Sequence, residues 1–216
     1  MKKFTKYIPT IILTLLCSCS DYLDIVPDNV TTLDIVFNNR NTAERYLANC
    51  YHFVPDHGSV KRIPGMGAGH ECWFYTTNDS HFDNEVSFYI ARGLQNIDAP
   101  YANYWDGEGG SNLPMFRAIR ECNIFLDYVR DQHKVNDLTD SERKRWIAEV
   151  NVLKAYYHFF LFEHYGPIPI VDKALPVSTD PEGVKVTRMP VDQIVDYMVK
   201  LIDDSYKDLP PVITME

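Results

Sequence analysis

Four stretches of the chain repeat apolar residues at every third or fourth position, and one long stretch does not. Ala43, Tyr46, Leu47, Cys50 and Val54 fall on one helical face, which predicts a helix over 42–54. Asn41 or Thr42 would cap it, and Pro55 would end it. Met115, Ile119, Cys122, Leu126 and Val129 predict a second helix, with Pro114 in the first turn, where the missing N–H costs nothing. A third opens at Thr139-Asp-Ser-Glu142, a capping box in which hydroxyl and carboxylate satisfy free N–H groups. Trp146, Val150, Leu153, Tyr157, Phe160, Leu161 and His164 carry it to Tyr165, a length of about 40 Å at 1.5 Å per residue. Gly166 and Pro167 then stop it. The fourth starts at Pro190, turns Ile194, Tyr197, Met198, Leu201 and Ile202 inward, and ends at Leu209–Pro211. The reading is a mainly α protein whose short links favour antiparallel helix pairs. No clean 34-residue self-similarity is visible, so periodicity alone does not define a repeat array.

The exception is residues 55–112, a long irregular insertion that holds most of the chain's glycines. Segments of this kind inside compact domains are usually functional or mobile. Short strands are expected near Cys72–Thr76 and Val86–Ile90. Several chemistries are excluded by spacing. His70, Cys72, His81 and Asp83 fit no standard zinc set, so no metal is expected. Asp79, Asp83 and Glu85 lack the EF-hand pattern. "GMGAG" at Gly65–Gly69 has neither the spacing nor the strand–helix context of a dinucleotide site, and Gly-x-Ser-x-Gly is missing. No catalytic residue and no cofactor are expected.

The first residues place the protein. Lys2, Lys3 and Lys6 precede an apolar run, Ile8 to Leu16, the layout of a signal peptide. The run is shorter than the roughly 20 residues of a membrane anchor. Leu16-Cys17-Ser18-Cys19 is a lipobox, with an aliphatic residue at −3 and a small one before the cut. Residues 1–18 are thus a lipoprotein signal peptide, and Cys19 is the expected lipidation site, acylated by diacylglycerol and palmitate-type chains. Cys17 fits less well, since Leu16 would then occupy the position that requires a small side chain. Loss of three lysines and no acids takes the formal charge from −9 to −12. An acidic body argues against nucleic acid as a partner; the membrane is reached through the lipid. Cys50, Cys72 and Cys122 remain, an odd set without metal spacing, more in keeping with buried thiols than with a disulfide. Residues 19–40, with "LDIV" at Leu23–Val26 and again at Leu33–Val36, are expected as an extended leader, and 41–216 as the helical domain. The close after "KDLPPVITME", beyond a double proline, leads us to expect a fragment of a longer chain.

Several pieces occur together in one family. "SCSDYLD" after a lipobox, "RAIRECNIFLD", "EVNVLKAYYHFFLFEHYGPIPIV" and "TRMPVDQIVDYMVKLIDDSYKDLP" together resemble the N-terminal region of SusD/RagB nutrient-uptake lipoproteins. The family's Ile-x-x-(Cys/Ala)-Asn-x-Phe-Leu stretch is matched by Ile119, Asn123, Phe125 and Leu126. Its next helix is matched by Glu149, Leu153, Lys154, Ala155, Tyr156, Tyr157, His158 and Phe159, its exit by Tyr165, Gly166 and Pro169, and the following start by Arg188 and Pro190. Lys154 stands where the family usually has Arg, losing the planar fork, and Pro167 where Asp is common. Family members commonly run to several hundred residues, so only part of a ligand site is expected in these 216.

The resemblance implies tetratricopeptide-like helix pairs as scaffold, with irregular excursions on them. It implies an outer-membrane surface lipoprotein that binds glycan, or sometimes peptide, without covalent chemistry. The cargo would pass to a SusC-like TonB-dependent transporter. Ser20 and Asp21 after Cys19 suit outer-membrane placement. Sugar binding calls for flat apolar faces and planar polar side chains. The aromatic residues between 73 and 105 supply the first, and Asn78, Asn96 and Asn103 the second. Trp73, Tyr75 and Asn78 are the expected ligand contacts, while Trp105, just before a helix, is expected to pack. A surface glycoside hydrolase and a protein-binding helical scaffold are the rival readings.

Overall fold

The computed structural model describes residues 32–58, 63, 65, 67–69, 86–107, 113–176 and 182–211. Residues Met1–Ile35 and Val36–Glu216 are separate compact units. Of the first only 32–35 are described, at the start of a single helical turn, α1 (Leu33–Val36). The second unit contains the helices α2 (Arg40–Tyr51), α3 (Val86–Ala91), α4 (Met115–Arg130), α5 (Asp140–Tyr165) and α6 (Val191–Asp203), with 3-10 turns at Glu182–Val184 and Tyr206–Asp208. No strand occurs among the described residues.

Two antiparallel pairs, α4–α5 and α5–α6, make the largest contacts, and α2 leans on both α4 and α5. The core follows the expected faces. Met115, Ile119, Cys122, Phe125, Leu126 and Val129 of α4 are buried against Trp146, Val150, Tyr157, Phe160 and Leu161 of α5. The α5 helix is buried round most of its circumference, and polar residues are enclosed with it: Arg143, Asn151, Lys154 and His158. Each such group needs a partner, because an unpaired one costs about 1–3 kcal/mol. Arg143 is the clearest case. Its guanidinium donates to the carbonyls of Val129 (2.5 Å), Asp131 (3.3 Å), Lys134 (3.1 Å) and Val135 (3.0 Å). These include the unpaired carbonyls at the end of α4, where a cation is also favoured by the helix dipole. The same loop holds Val135 at φ 51°, a rare conformation for a β-branched residue. Its carbonyl is gripped by Arg143 and its N–H donates to the carbonyl of Phe37 (3.1 Å).

Several boundaries differ from the sequence reading. The α2 helix begins two residues early and ends at Tyr51. Asn39 caps it, accepting from the N–H of Thr42 (3.1 Å), and Arg40 is held by Glu44 (3.0 Å) and Glu142 (2.8 Å). The end comes early because a residue before proline, here Val54, avoids helical geometry. The leader is not extended up to residue 40: 33–36 are helical, and Phe37 is fully buried, stacked on Tyr128 at 4.5 Å. The run Val86–Ile90, expected as a strand, lies in the helix Val86–Ala91, with Val86, Ser87 and Phe88 buried in succession. β-Propensity depends on packing context and does not by itself fix so short a run. Pro114 is the N-cap of α4, one position before the first turn. In α6 only Ile194 and Met198 are buried; Tyr197 and Leu201 are half-buried and Ile202 is 44% exposed. With Val195, Val199 and Phe159 it leaves an open apolar groove between α5 and α6.

The capping box forms as read. Thr139 Oγ accepts from the N–H of Glu142 (3.3 Å) and donates to its carboxylate (2.9 Å). Arg40 draws on that carboxylate too, and its hydrogen bond, the largest influence, holds Glu142 below the usual carboxylate range. Gly166 ends α5 at φ 68° and ψ −134°, with its N–H on the carbonyl of Phe162.

Candidate ligand-binding site

The irregular insertion joins the scaffold where α4 begins. A helix leaves its first N–H groups without partners. Here the carbonyls of Tyr104 and Trp105 accept from the N–H groups of Met115 (3.0 Å) and Phe116 (3.4 Å). Gly107, at φ 81°, allows the close approach, since a Cβ there would lie 2.8 Å from Pro114. Tyr104 is buried edge-on to Phe160, and its N–H donates to the hydroxyl of Tyr165 (2.8 Å). Trp105 packs on Phe116 (4.6 Å) and Tyr165 (5.5 Å), as a structural tryptophan should, and Arg188 covers its ring at 5.3 Å.

Moving outward, Tyr89 and Tyr101 stack at 4.1 Å and 12°, both half-buried. The loop between them is built from planar polar side chains. Gln95 Oε1 accepts from the N–H groups of Tyr101 (2.8 Å) and Ala102 (3.2 Å). Asn96 Oδ1 accepts from the N–H of Ala99 (2.7 Å), and Asn103 Nδ2 donates to Asp106 (2.5 Å). All these bonds span seven residues or fewer, so the loop is braced from within. Leu94 and Ile97 stand exposed on it, Ile97 at 93%. The combination is a rigid aromatic ledge edged with amides.

Beside Trp105 lies a pocket of about 230 Å³. Trp105, Phe116, Val171 and Val186 form its walls, and Arg120 and Lys173 stand at its edge. Its volume is below the 300–1,000 Å³ typical of drug-sized ligands, so it suits one ring and not a chain. The segment after Gly166 shapes the far wall. Asn123 Nδ2 donates to the carbonyl of Val171 (2.9 Å), and Met189 N–H to that of Ile168 (3.0 Å).

A polar clamp behind this wall fixes the same segment. Lys154 is 1% exposed and its ammonium meets Asp172 Oδ1 at 2.7 Å and the Asp172 carbonyl at 3.2 Å. Tyr197 donates to the same carboxylate (2.8 Å). Burial pushes the Lys154 ammonium down, against the pull of Asp172. Burial alone would raise Asp172, but hydrogen bonds from Lys154 and Tyr197 outweigh it and hold it low. His158, fully buried, binds the Lys154 carbonyl through Nδ1 (2.7 Å) and sits edge-on to Tyr197. Burial pushes it down to about 4. The clamp is a structural device: its enclosed ammonium, Lys154, is answered by an Asp172 carboxylate that reaches in from the surface. Cys50 and Cys122 are buried free thiols; their mutual hydrogen bond and burial both push Cys50 up, away from reactivity.

Of the residues singled out from the sequence, Cys19, Trp73, Tyr75 and Asn78 lie outside the described residues, as does the polar run His70–Glu85. The Tyr89–Tyr101 ledge and the Trp105 pocket were not singled out. The tyrosines were visible in sequence as part of the aromatic stock, but a pairing twelve residues apart has no local signal.

Stacked helix pairs with an aromatic excursion capping one end define a tetratricopeptide-like α module. The family model for SusD-like proteins, described as starch-binding and associating with the outer membrane, matches residues 21–214, and the chain belongs to that family. Among solved structures it is similar to a laminarin-binding SusD-like protein (TM-score 0.58, 17% identity), over 82% of this chain and 36% of that one. It is also similar to a SusD-like protein of Bacteroides fragilis NCTC 9343 (0.62, 15% identity, 87% and 33%). A third is a SusD-like carbohydrate-binding protein of Bacteroides vulgatus ATCC 8482 (0.54, 16% identity, 83% and 38%). The chain thus spans about a third of the length of these proteins. None of the curated proteins matches it. Among the described residues no helix is long and apolar enough to cross a membrane.

Proposed function

We propose that the protein is a surface lipoprotein of the outer membrane that binds glycan non-covalently and delivers it to a SusC-like TonB-dependent transporter. The observation that carries this reading is the stacked Tyr89–Tyr101 ledge with Gln95, Asn96 and Asn103 around it. Sugar rings present C–H faces that lie on aromatic planes, and hydroxyls that pair with amides. Membership of a family described as starch-binding, and likeness to a protein that binds laminarin, support the same ligand class. Trp73, Tyr75 and Asn78 precede the ledge in the same insertion and are proposed as further contacts. Acylation at Cys19, after removal of residues 1–18, would hold the acidic body at the membrane. Binding and release need no bond cleavage, so no catalytic residue is assigned.

Affinity electrophoresis of the full chain against a panel of soluble polysaccharides tests the reading. Retardation by at least one glycan, lost in Tyr101→Ala, is expected; unchanged mobility against the whole panel would refute it. Intact mass of the membrane-extracted protein should show a triacylated Cys19, absent in Cys19→Ala.

A further inference from the structure

We infer that the pocket beside Trp105 receives a sugar ring bearing an anionic group, carboxylate or sulfate, so that the glycan bound is an acidic one. The inference rests on glycan binding as the function and names the class of glycan.

The pocket's walls and its edge have different chemistry. Trp105, Phe116, Val171 and Val186 are apolar and enclose room for one ring. The two charged residues that line it, Arg120 and Lys173, are both cations, and none of its described lining residues is acidic. A third cation, Arg188, stands 5.3 Å over the Trp105 ring, fixed there by donating to the carbonyl of Pro167 (2.9 Å). Arg120 is likewise fixed, donating to the carbonyl of Leu175. That bond uses one of a guanidinium's five donors, in a fork whose geometry matches a carboxylate or sulfate. The chain as a whole carries a formal charge of −9, so two cations and no acid among the described lining residues, with Arg188 over the Trp105 ring, run against the overall balance. Of the neighbouring acids, Asp172 is already committed to Lys154 and Tyr197, and Asp106 accepts from Asn103. A neutral ring would use the walls and leave the cations unanswered; an anionic ring uses both.

The position fits a chain-like ligand. Tyr101 of the ledge and Trp105 are four residues apart, so their Cα atoms are separated by no more than about 14 Å. A glycan lying on the Tyr89–Tyr101 ledge reaches the pocket within a few sugar units, which lets ledge and pocket act on one molecule.

The test titrates the full-length detergent-extracted protein, following tryptophan fluorescence, with methyl glucuronide, methyl galacturonide, glucose 6-sulfate and neutral methyl glucoside. At least tenfold tighter binding of an anionic ring is expected, and the carboxylate and sulfate arms tell the two sources of charge apart. The response should weaken at least tenfold in Lys173→Gln and Arg120→Gln and fade as salt rises from 0.05 to 0.5 M. Lys173 is exposed, so its substitution leaves the fold intact. Equal binding of the neutral glucoside, no binding of any of these rings, or an anionic response that survives both charge removals would overturn the inference. Uronate polymers and their methyl-esterified counterparts, run in parallel, separate the two claims. Retardation by neutral polymers alone, with no monosaccharide response, sinks the acidic specificity and leaves glycan binding standing. Binding of the anionic rings with no polymer retained keeps the pocket and removes the ledge as a glycan surface.

Discussion

The helical body and the excursion at residues 86–107 handle polar groups in opposite ways. In the body, buried polar side chains reach far along the chain: Tyr157 donates to the carbonyl of Cys50, Asn151 to Ser205 (3.1 Å), and Arg143 ties α5 to the end of α4. In the excursion, long-range bonds sit at its two ends, Ser87 to the carbonyl of Ile63 and the Tyr104 N–H to Tyr165. Between them Gln95 and Asn96 brace the loop over seven residues or fewer, and two half-buried tyrosines stack. Long-range bonds make the body one cooperative unit, whereas the local bonds between the ends of the excursion stiffen its outer part without tying that part to the rest. The contrast teaches where sequence change is tolerated. Alterations on the ledge should change binding and leave folding almost untouched; alterations in the body should do the reverse.

The largest effect expected is from Trp146→Ala. Trp146 is 1% exposed in the N-terminal third of α5, against Phe125, and its loss should cost about 3–5 kcal/mol in urea unfolding. Next is the pH dependence carried by His158. With its folded pKa lowered to about 4 from an ordinary 6.5, the native state keeps the ring neutral while the unfolded chain takes up a proton. Stability should therefore be full above pH 6.5 and fall through the window down to pH 4, by about 3 kcal/mol at 1.36 kcal/mol per unit. Asp172 and Glu142, both held low, extend the loss further into acid. Urea midpoints at pH 7, 5.5 and 4.5 measure this. His158→Phe should flatten the upper part of the slope, and an unaltered slope would remove His158 from the explanation.

A smaller effect separates the two ends of the clamp. Asp172→Ala strands the buried Lys154 ammonium on a backbone carbonyl, and should cost about 2 kcal/mol, below the value for a fully enclosed pair because Asp172 is 63% exposed. Lys154→Met removes the charge along with its need for a partner, and should cost under about 1 kcal/mol. Equal losses in the two variants would contradict the clamp. Smallest is Tyr101→Ala, expected to shift stability by roughly 1 kcal/mol or less while abolishing retardation by glycan. A loss on the scale of Trp146→Ala would erase the division between body and ledge.

How much of this was legible depended on whether the cause was local. The faces of α4 and α5, the Thr139–Glu142 box and the stop at Gly166 are written in spacings of three and four, and all formed. Trp105 reads as a packing residue and is one. Val86–Ile90 misleads because Val, Phe, Tyr and Ile favour strands, while the packing context that decides so short a run comes from elsewhere. Phe37 falls in the expected leader because nothing adjacent hints at Tyr128, ninety-one residues on, as its stacking partner. Arg143 carries no local sign of burial; its four carbonyl partners belong to the preceding loop and helix end. The α6 helix is a middle case: its apolar face is plain, but it is wider than α5 covers, and the sequence does not say which part of it stays open. For the site, the chemistry of the insertion is visible as composition, and the stacking that turns it into a surface is not.

Gly166 sets more than the end of a helix. Its backbone angles belong to a region that side chains deny to every other residue, although open space surrounds it. An alanine there would meet no neighbour and still redirect the chain that leaves α5, carrying Val171 and Lys173 with it. The outline of the cavity at Trp105 is thus governed from a distance by a residue that never touches its contents, and drift in cargo preference could begin at a position with no side chain at all.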